Sequence, residues 1–197
     1  MIGLVDYGAG NLRSVQNTLE ALGAAYEVTS SPESVSAAHK LILPGVGHFG
    51  QMMRAIDELG LRHPLLERIS AGVPVFGICV GLQCLFQASE ESPGINGLSV
   101  FPCTVKRFGG EARIPHMGWN TLMKTKPSRL LDGLPETMFA YFAHSYYAPV
   151  IQATAATCTY VHQYSAILEL GNVYAVQFHP EKSGPAGLRV VKNFLRV

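Results

Sequence analysis

The chain has 197 residues, 48% of them apolar and 15% charged, with a net charge of +1 when histidine is neutral. That length supports one well-buried core and is short for two, so residues 1–197 are expected to form a single domain. The charge is too balanced to gather nucleic acid or an anionic membrane, and the apolar runs are too short and too interrupted to span a bilayer.

Ile2 to Val5 form a wholly apolar strand with Asp6 at its carboxyl end. The opening MIGLVDYG carries no basic leader region. The four cysteines show neither C-x-x-C spacing nor the density of a disulfide scaffold, so the cytoplasm is the expected compartment. The loop D-Y-G-A-G-N then feeds a helix from about Leu12 to Leu22, behind Asn11 as a competent N-cap. Leu12, Val15, Leu19 and Leu22 recur in it at helical spacing. Gly8-x-Gly10 falls short of a dinucleotide fingerprint, because Arg13 stands at the third glycine position.

Tyr26 to Thr29 and Lys40 to Leu43 are predicted strands, with Ser31-Pro32 opening a short helical segment between them. The second strand ends in Pro44-Gly45-Val46-Gly47. Helices are expected from about Phe49 to Leu59 and from Pro64 to about Ala71, before a buried strand from Val73 to Ile78. Nearly apolar strands alternating with helices are the signature of a parallel sheet covered on both faces.

After Ser89 the rhythm changes. Leu98 to Val105, Phe139 to Ser145, Ala153 to Thr159, Ser165 to Leu170 and Val173 to Phe178 are predicted strands. Gly171-Asn172 is a hairpin turn between the last two, and a final helix runs from about Leu188 to Leu195. No polar linker intervenes. The expected fold is therefore α/β in three layers: a mostly parallel sheet with helices on both faces and an antiparallel extension.

The stretch G-I-C-V-G, residues 77 to 81, joins the central strand to a helix predicted over Gly81 to Ala88. It is the thiol version of the nucleophile elbow, a sharp strand-to-helix turn that exposes its central side chain. Cys79 would lie at a helix N-terminus, which favours the thiolate. The alternative is a small apolar residue closing a buried strand.

A thiol nucleophile needs a base, and the base an orienter. Of seven histidines, only His179 leaves a long apolar strand and has a carboxylate, Glu181, two residues on. Pro180 favours an extended His179, and an extended His-x-Glu places both side chains on one side. An ordinary solvated loop is the alternative. For an oxyanion, the Val80 N–H at the helix start is one donor. A second is expected from the backbone around Val46, unless the glycines of P-G-V-G serve only chain reversal. No three imidazole or thiolate ligands cluster in sequence, so no metal is expected.

Together, P-G-V-G, G-I-C-V-G-L-Q and F-H-P-E-K-S resemble the class I (triad) glutamine amidotransferases, over residues 2 to 194. D-Y-G-A-G-N-L-R-S-V, H-M-G-W-N and A-H-S-Y-Y narrow the likeness to a branch that serves histidine biosynthesis. The resemblance implies a flavodoxin-like sheet and hydrolysis of L-glutamine to glutamate and ammonia. Cys79 is then the nucleophile, His179 the base and Glu181 the orienter, with the oxyanion held by the backbone at Val46 and Val80. It further implies glutamine binding by Gly47, Gln83, His144, Ser145 and Tyr146, and no cofactor. Asn11, Trp119, Asn120 and Lys182 correspond to an interface with a (β/α)8-barrel cyclase subunit in a heterodimer. In that branch the cyclase uses the ammonia to form imidazole glycerol phosphate and aminoimidazole carboxamide ribotide. Residues 121 to 137 carry nothing diagnostic.

Overall fold

The computed structural model describes residues 1–8, 12–110 and 112–197. Strand and helix alternate at first: β1 (Ile2–Val5), α1 (Leu12–Ala21), β2 (Tyr26–Thr29), α2 (Pro32–Ala37), β3 (Lys40–Leu43) and α3 (Phe49–Glu58). Next come α4 (Arg62–Ser70), β4 (Val75–Ile78) and α5 (Val80–Cys84). Strands then dominate: β5 (Phe86–Ser89), β6 (Phe101–Arg107), β7 (His116–Lys124), β8 (Thr137–His144) and β9 (Tyr146–Tyr147). The chain ends with β10 (Thr154–Tyr160), β11 (His162–Leu170), β12 (Val173–Val176) and α6 (Gly184–Leu195).

One mixed sheet has the order β2-β1-β3-β4-β12-β11-β10-β7-β8. From β2 to β12 all neighbours are parallel. From β12 to β8 all are antiparallel, so the extension expected from the sequence continues the same sheet. Helices cover both faces, and β5, β6 and β9 form a small second sheet. β4 and β12 are buried at every position, which is why they carry no polar alternation. On α1, Val15 and Leu19 are one turn apart and both buried. The Ser31 side chain accepts the Ser34 N–H to cap α2, with Pro32 opening the helix. Phe194 of α6 stacks on Phe76 of β4 at 4.9 Å and meets Tyr174 of β12 at 5.9 Å. Burying such a ring contributes about 1.5–3 kcal/mol.

Four expectations need correction. The helix after the elbow is not Gly81 to Ala88 but five residues long, and β5 follows it. The carbonyls of Cys84, Leu85 and Phe86 accept N–H groups of Leu98, Phe101 and Ser99 instead of continuing a helical ladder. No strand was expected at His116–Lys124, yet β7 pairs with β8 along its whole length, from His116 opposite His144 to Met123 opposite Thr137. α4 starts at Arg62, two residues before Pro64, and α6 starts at Gly184 rather than Leu188. Finally, Pro180–Lys182 is a 3-10 turn, not extended chain, because Lys182 N–H donates to the His179 carbonyl.

Candidate active site

Three adjacent strands of the parallel half end at one cleft. β3 runs into Pro44-Gly45-Val46-Gly47, β4 into Cys79, and β12 through Gln177 and Phe178 into His179. This carboxyl edge is where open α/β sheets hold their ligands.

The elbow is a close approach of three backbones. A Cβ on Gly81 would collide with the Leu43 carbonyl, and one on Gly45 with the Gly81 nitrogen. Cys79 itself has φ 53° and ψ −107°, a conformation that costs a side-chain-bearing residue about 1–3 kcal/mol. Its N–H donates to the Val176 carbonyl at 2.8 Å, which pins the turn to β12.

His179 is held at both backbone ends. Its N–H donates to the Tyr141 carbonyl (2.9 Å), and its carbonyl accepts the Ser183 hydroxyl (2.6 Å). Ser183 Oγ in turn accepts the Tyr141 N–H at 2.9 Å. Glu181 Oε1 lies 2.9 Å from His179 Nδ1, with both side chains buried. The turn therefore makes the pairing that extended chain was expected to make, and leaves Nε2 as the ring atom for Cys79. Burial pushes the His179 imidazole down, but hydrogen bonds to Cys79 and Glu181, with their charges, outweigh it and raise its pKa to about 10. The other Glu181 oxygen is buried with no hydrogen-bond partner among the described residues.

The cleft encloses about 270 Å³. Val46, Gly47, Cys79, Val80, Gln83, His144, Ser145, Tyr146, His179 and Lys182 all line it. Both Gln83 amide contacts are made by its nitrogen, to the Tyr146 carbonyl (2.9 Å) and to Gln177 Oε1 (3.2 Å). The Val80 N–H faces the Gly45 carbonyl at 3.4 Å. Lys182 Nζ lies 5.9 Å from the centre of the Tyr141 ring. Trp119 stands outside the cleft, edge-on to Tyr141 at 6.3 Å and 58% exposed. Asn120, on the opposite face of β7, donates instead to the Thr159 carbonyl. Asn11 lies outside the described residues. Among those residues, no group of three or more His, Cys, Asp or Glu is placed to hold a metal ion.

The family model for class-I glutamine amidotransferase matches residues 3–197. The imidazole glycerol phosphate synthase subunit HisH of Methanothermobacter thermautotrophicus is 47% identical over 198 residues, covering 100% of this chain and 98% of that protein. The HisH subunit of Thermococcus kodakarensis is 44% identical over 203 residues, with both chains covered completely. This chain belongs to the class-I glutamine amidotransferases. Solved structures agree on the fold. A glutamine amidotransferase crystal structure superposes with a TM-score of 0.78 at 22% identity, over 99% of this chain and 97% of that one. PurLQS from Thermotoga maritima gives 0.75 at 16% identity, with the same coverage.

Several residues at this cleft were not expected from the sequence. Glu91, Pro115 and Met117 also line the cleft, and Gln177 lies wholly buried behind it with its amide toward Cys79. Gln177 had a signal: a polar residue directly after an apolar strand and two before the candidate base. Glu91 had none, since only the fold brings it to the N-terminus of α3, where it accepts the Phe49 N–H at 2.7 Å.

Proposed function

We propose that this chain is the glutaminase subunit of an imidazole glycerol phosphate synthase and that it works through Cys79, His179 and Glu181. The observation that carries the reading is the convergence, at one strand edge, of the elbow thiol and a buried imidazole–carboxylate pair. The Cys79 thiolate attacks the side-chain amide carbon of L-glutamine, and the carbonyl π electrons move onto oxygen. The Val80 N–H and a peptide of the Val46–Gly47 loop receive that oxyanion. Imidazolium at His179 protonates the nitrogen as the C–N bond breaks, which releases ammonia and leaves a thioester. His179, now neutral, takes a proton from water; the hydroxide adds and glutamate leaves. A base raised to about 10 starts this cycle protonated at neutral pH, as an acid beside a thiolate requires.

Gly47, Ser145 and Tyr146 frame the substrate, and Gln83 offers its Oε1 to the glutamine ammonium because its nitrogen is already engaged. The Gly45 carbonyl now opposite the Val80 N–H has to yield to the oxyanion. Gly47, at φ +99°, gives the loop the freedom for a second peptide orientation.

Free ammonia at neutral pH becomes ammonium and loses its lone pair, so the site needs a partner sealed over it. A (β/α)8-barrel cyclase subunit is that partner in this reading. Trp119 and Lys182 belong to its docking face, with Asn120 at the same edge. Replacing Cys79 by Ala should abolish glutamine-dependent product formation in the complex while ammonia-dependent synthesis survives. Loss of both activities in an assembled complex would refute the division of labour.

A further inference from the structure

Behind the cleft runs a chain of hydrogen bonds, exposed at one end and buried through Tyr164 and Gln177, whose direction can be assigned link by link. It starts at Asn120. Oδ1 of Asn120 accepts the Thr121 N–H at 2.7 Å, so its nitrogen is the end that faces the Thr159 carbonyl (3.1 Å) and His116 Nε2 (3.3 Å). His116 Nε2 is therefore an acceptor, and in a neutral ring Nδ1 carries the hydrogen. That hydrogen points at the Tyr164 oxygen, 3.2 Å away.

From the other end the logic is the same. His144 Nδ1 sits 2.8 Å from the Tyr146 carbonyl, which only accepts, so Nδ1 carries the proton and Nε2 is bare. The Tyr164 hydroxyl, 3.3 Å from Nε2, is the donor to it. Both rings are held neutral, since burial pushes His116 down to about 4 and His144 to about 3.

The Tyr146 carbonyl also accepts from Gln83 Nε2, which fixes that amide, and the same nitrogen donates to Gln177 Oε1. With its oxygen so assigned, Gln177 has its Nε2 on the side of Cys79, 3.8 Å from the sulfur, a length that sulfur's large radius allows. Gln177 is fully buried.

We propose that Gln177 is a further residue of the catalytic site. Its side-chain N–H donates to the Cys79 sulfur and holds it as thiolate, while Gln83, anchored on the Tyr146 carbonyl that His144 also holds, is the positioning residue that fixes which end of the amide faces the sulfur. The proposal rests on the glutaminase reading only in taking Cys79 as the nucleophile. A donor to a charged sulfur in a dry site favours the ionised form, as donors to buried carboxylates do.

The test is the pH dependence of iodoacetamide alkylation at Cys79 in the full chain, with the modified cysteine assigned by peptide fragmentation. Gln177→Met removes the donor at similar volume. Its alkylation midpoint should rise by about one pH unit, a roughly tenfold loss of thiolate on the acid side. Gln83→Met removes the donor that holds the Gln177 oxygen and should move the midpoint in the same direction by less. An unchanged midpoint in Gln177→Met, with wild-type melting behaviour, overturns the proposal. Should that variant not fold, an unchanged midpoint in Gln83→Met overturns it. Alkylation needs no glutamine, so the shift in a chain that hydrolyses none even in the assembled complex would refute the proposed function and still support the role of Gln177.

Discussion

Burial acts on three histidines of this site, and the neighbours of each decide the outcome. His179 has a thiol and a carboxylate within hydrogen-bonding reach, and its pKa is raised despite burial. Among the described residues, Oε2 of Glu181 has no donor and Oε1 faces His179 Nδ1, so the demand of the carboxylate falls on that nitrogen. His116 and His144 have no carboxylate, and burial depresses them to about 4 and about 3. The signs follow. In the unfolded chain all three titrate near about 6.5. The contribution of His179 is complete below that value and is lost as pH rises toward 10. That of His116 and His144 is complete above it and is lost as pH falls toward 4 and 3, because the unfolded chain takes up protons that the folded one resists. Each should contribute a slope of about 1.4 kcal/mol per pH unit below pH 6. Urea unfolding of wild type and His144→Gln between pH 7 and pH 4.5 measures this. The variant should show a flatter acid limb by about one proton, and equal slopes would show that His144 is not held neutral by the fold.

At the scale of elements, the elbow depends on backbone approach more than on side chains. Gly81 faces the Leu43 carbonyl where β3 and α5 nearly touch, with no room for a methyl group. Gly81→Ala should cost about 3 kcal/mol or more and lower the melting midpoint by about 6 °C or more. Gly109 is the control: a methyl group there would meet nothing within 4 Å, its φ is not positive, and Gly109→Ala should melt with wild type. A normal melting point for Gly81→Ala would mean that β3 and α5 move apart freely. The elbow was legible in the sequence because G-x-C-x-G is a steric rule written in local residues. The end of α5 was not, since it is set by the backbone of Leu98, Ser99 and Phe101, more than ten residues away. β7 escaped notice for a different reason. Its outward positions Met117, Trp119 and Met123 are apolar, so the polar–apolar alternation that marks a half-buried strand is missing. Likewise Cys79, His179 and Glu181 sit at strand ends and could be read locally, whereas the Gln177 and His116 links exist only through tertiary pairing.

Across the whole molecule, the same anomaly in β7 supports the docking face proposed above. Met117, Trp119 and Met123 alternate along β7, and Phe139 stands opposite Thr121 on β8, so the four share one face. They are 58% to 65% exposed, more than any other large apolar side chain described except Met1. A contiguous exposed apolar patch of this kind marks an interaction site. It adjoins the cleft, since Met117 and Lys182 line the cleft wall and a methyl group on Gly184 would lie 3.9 Å from the Trp119 ring. The proposed partner seated there would cover the mouth of the cleft. The far edge of the sheet offers the comparison: Val28 on β2 is also exposed, at 40%, but separated from the cleft-forming strands by β1. Buried tryptophans at interface centres commonly cost about 2 kcal/mol or more on truncation, about thirtyfold in affinity. Trp119→Ala should therefore bind the cyclase subunit at least about thirtyfold more weakly by titration calorimetry, while Val28→Ser binds as wild type does. Because Trp119 touches neither Cys79 nor His179, the alkylation rate of Cys79 in the free chain should be unchanged by Trp119→Ala. If Trp119→Ala keeps full affinity, the proposed partner docks elsewhere, and ammonia released at the proposed nucleophile Cys79 needs another route out of the cleft.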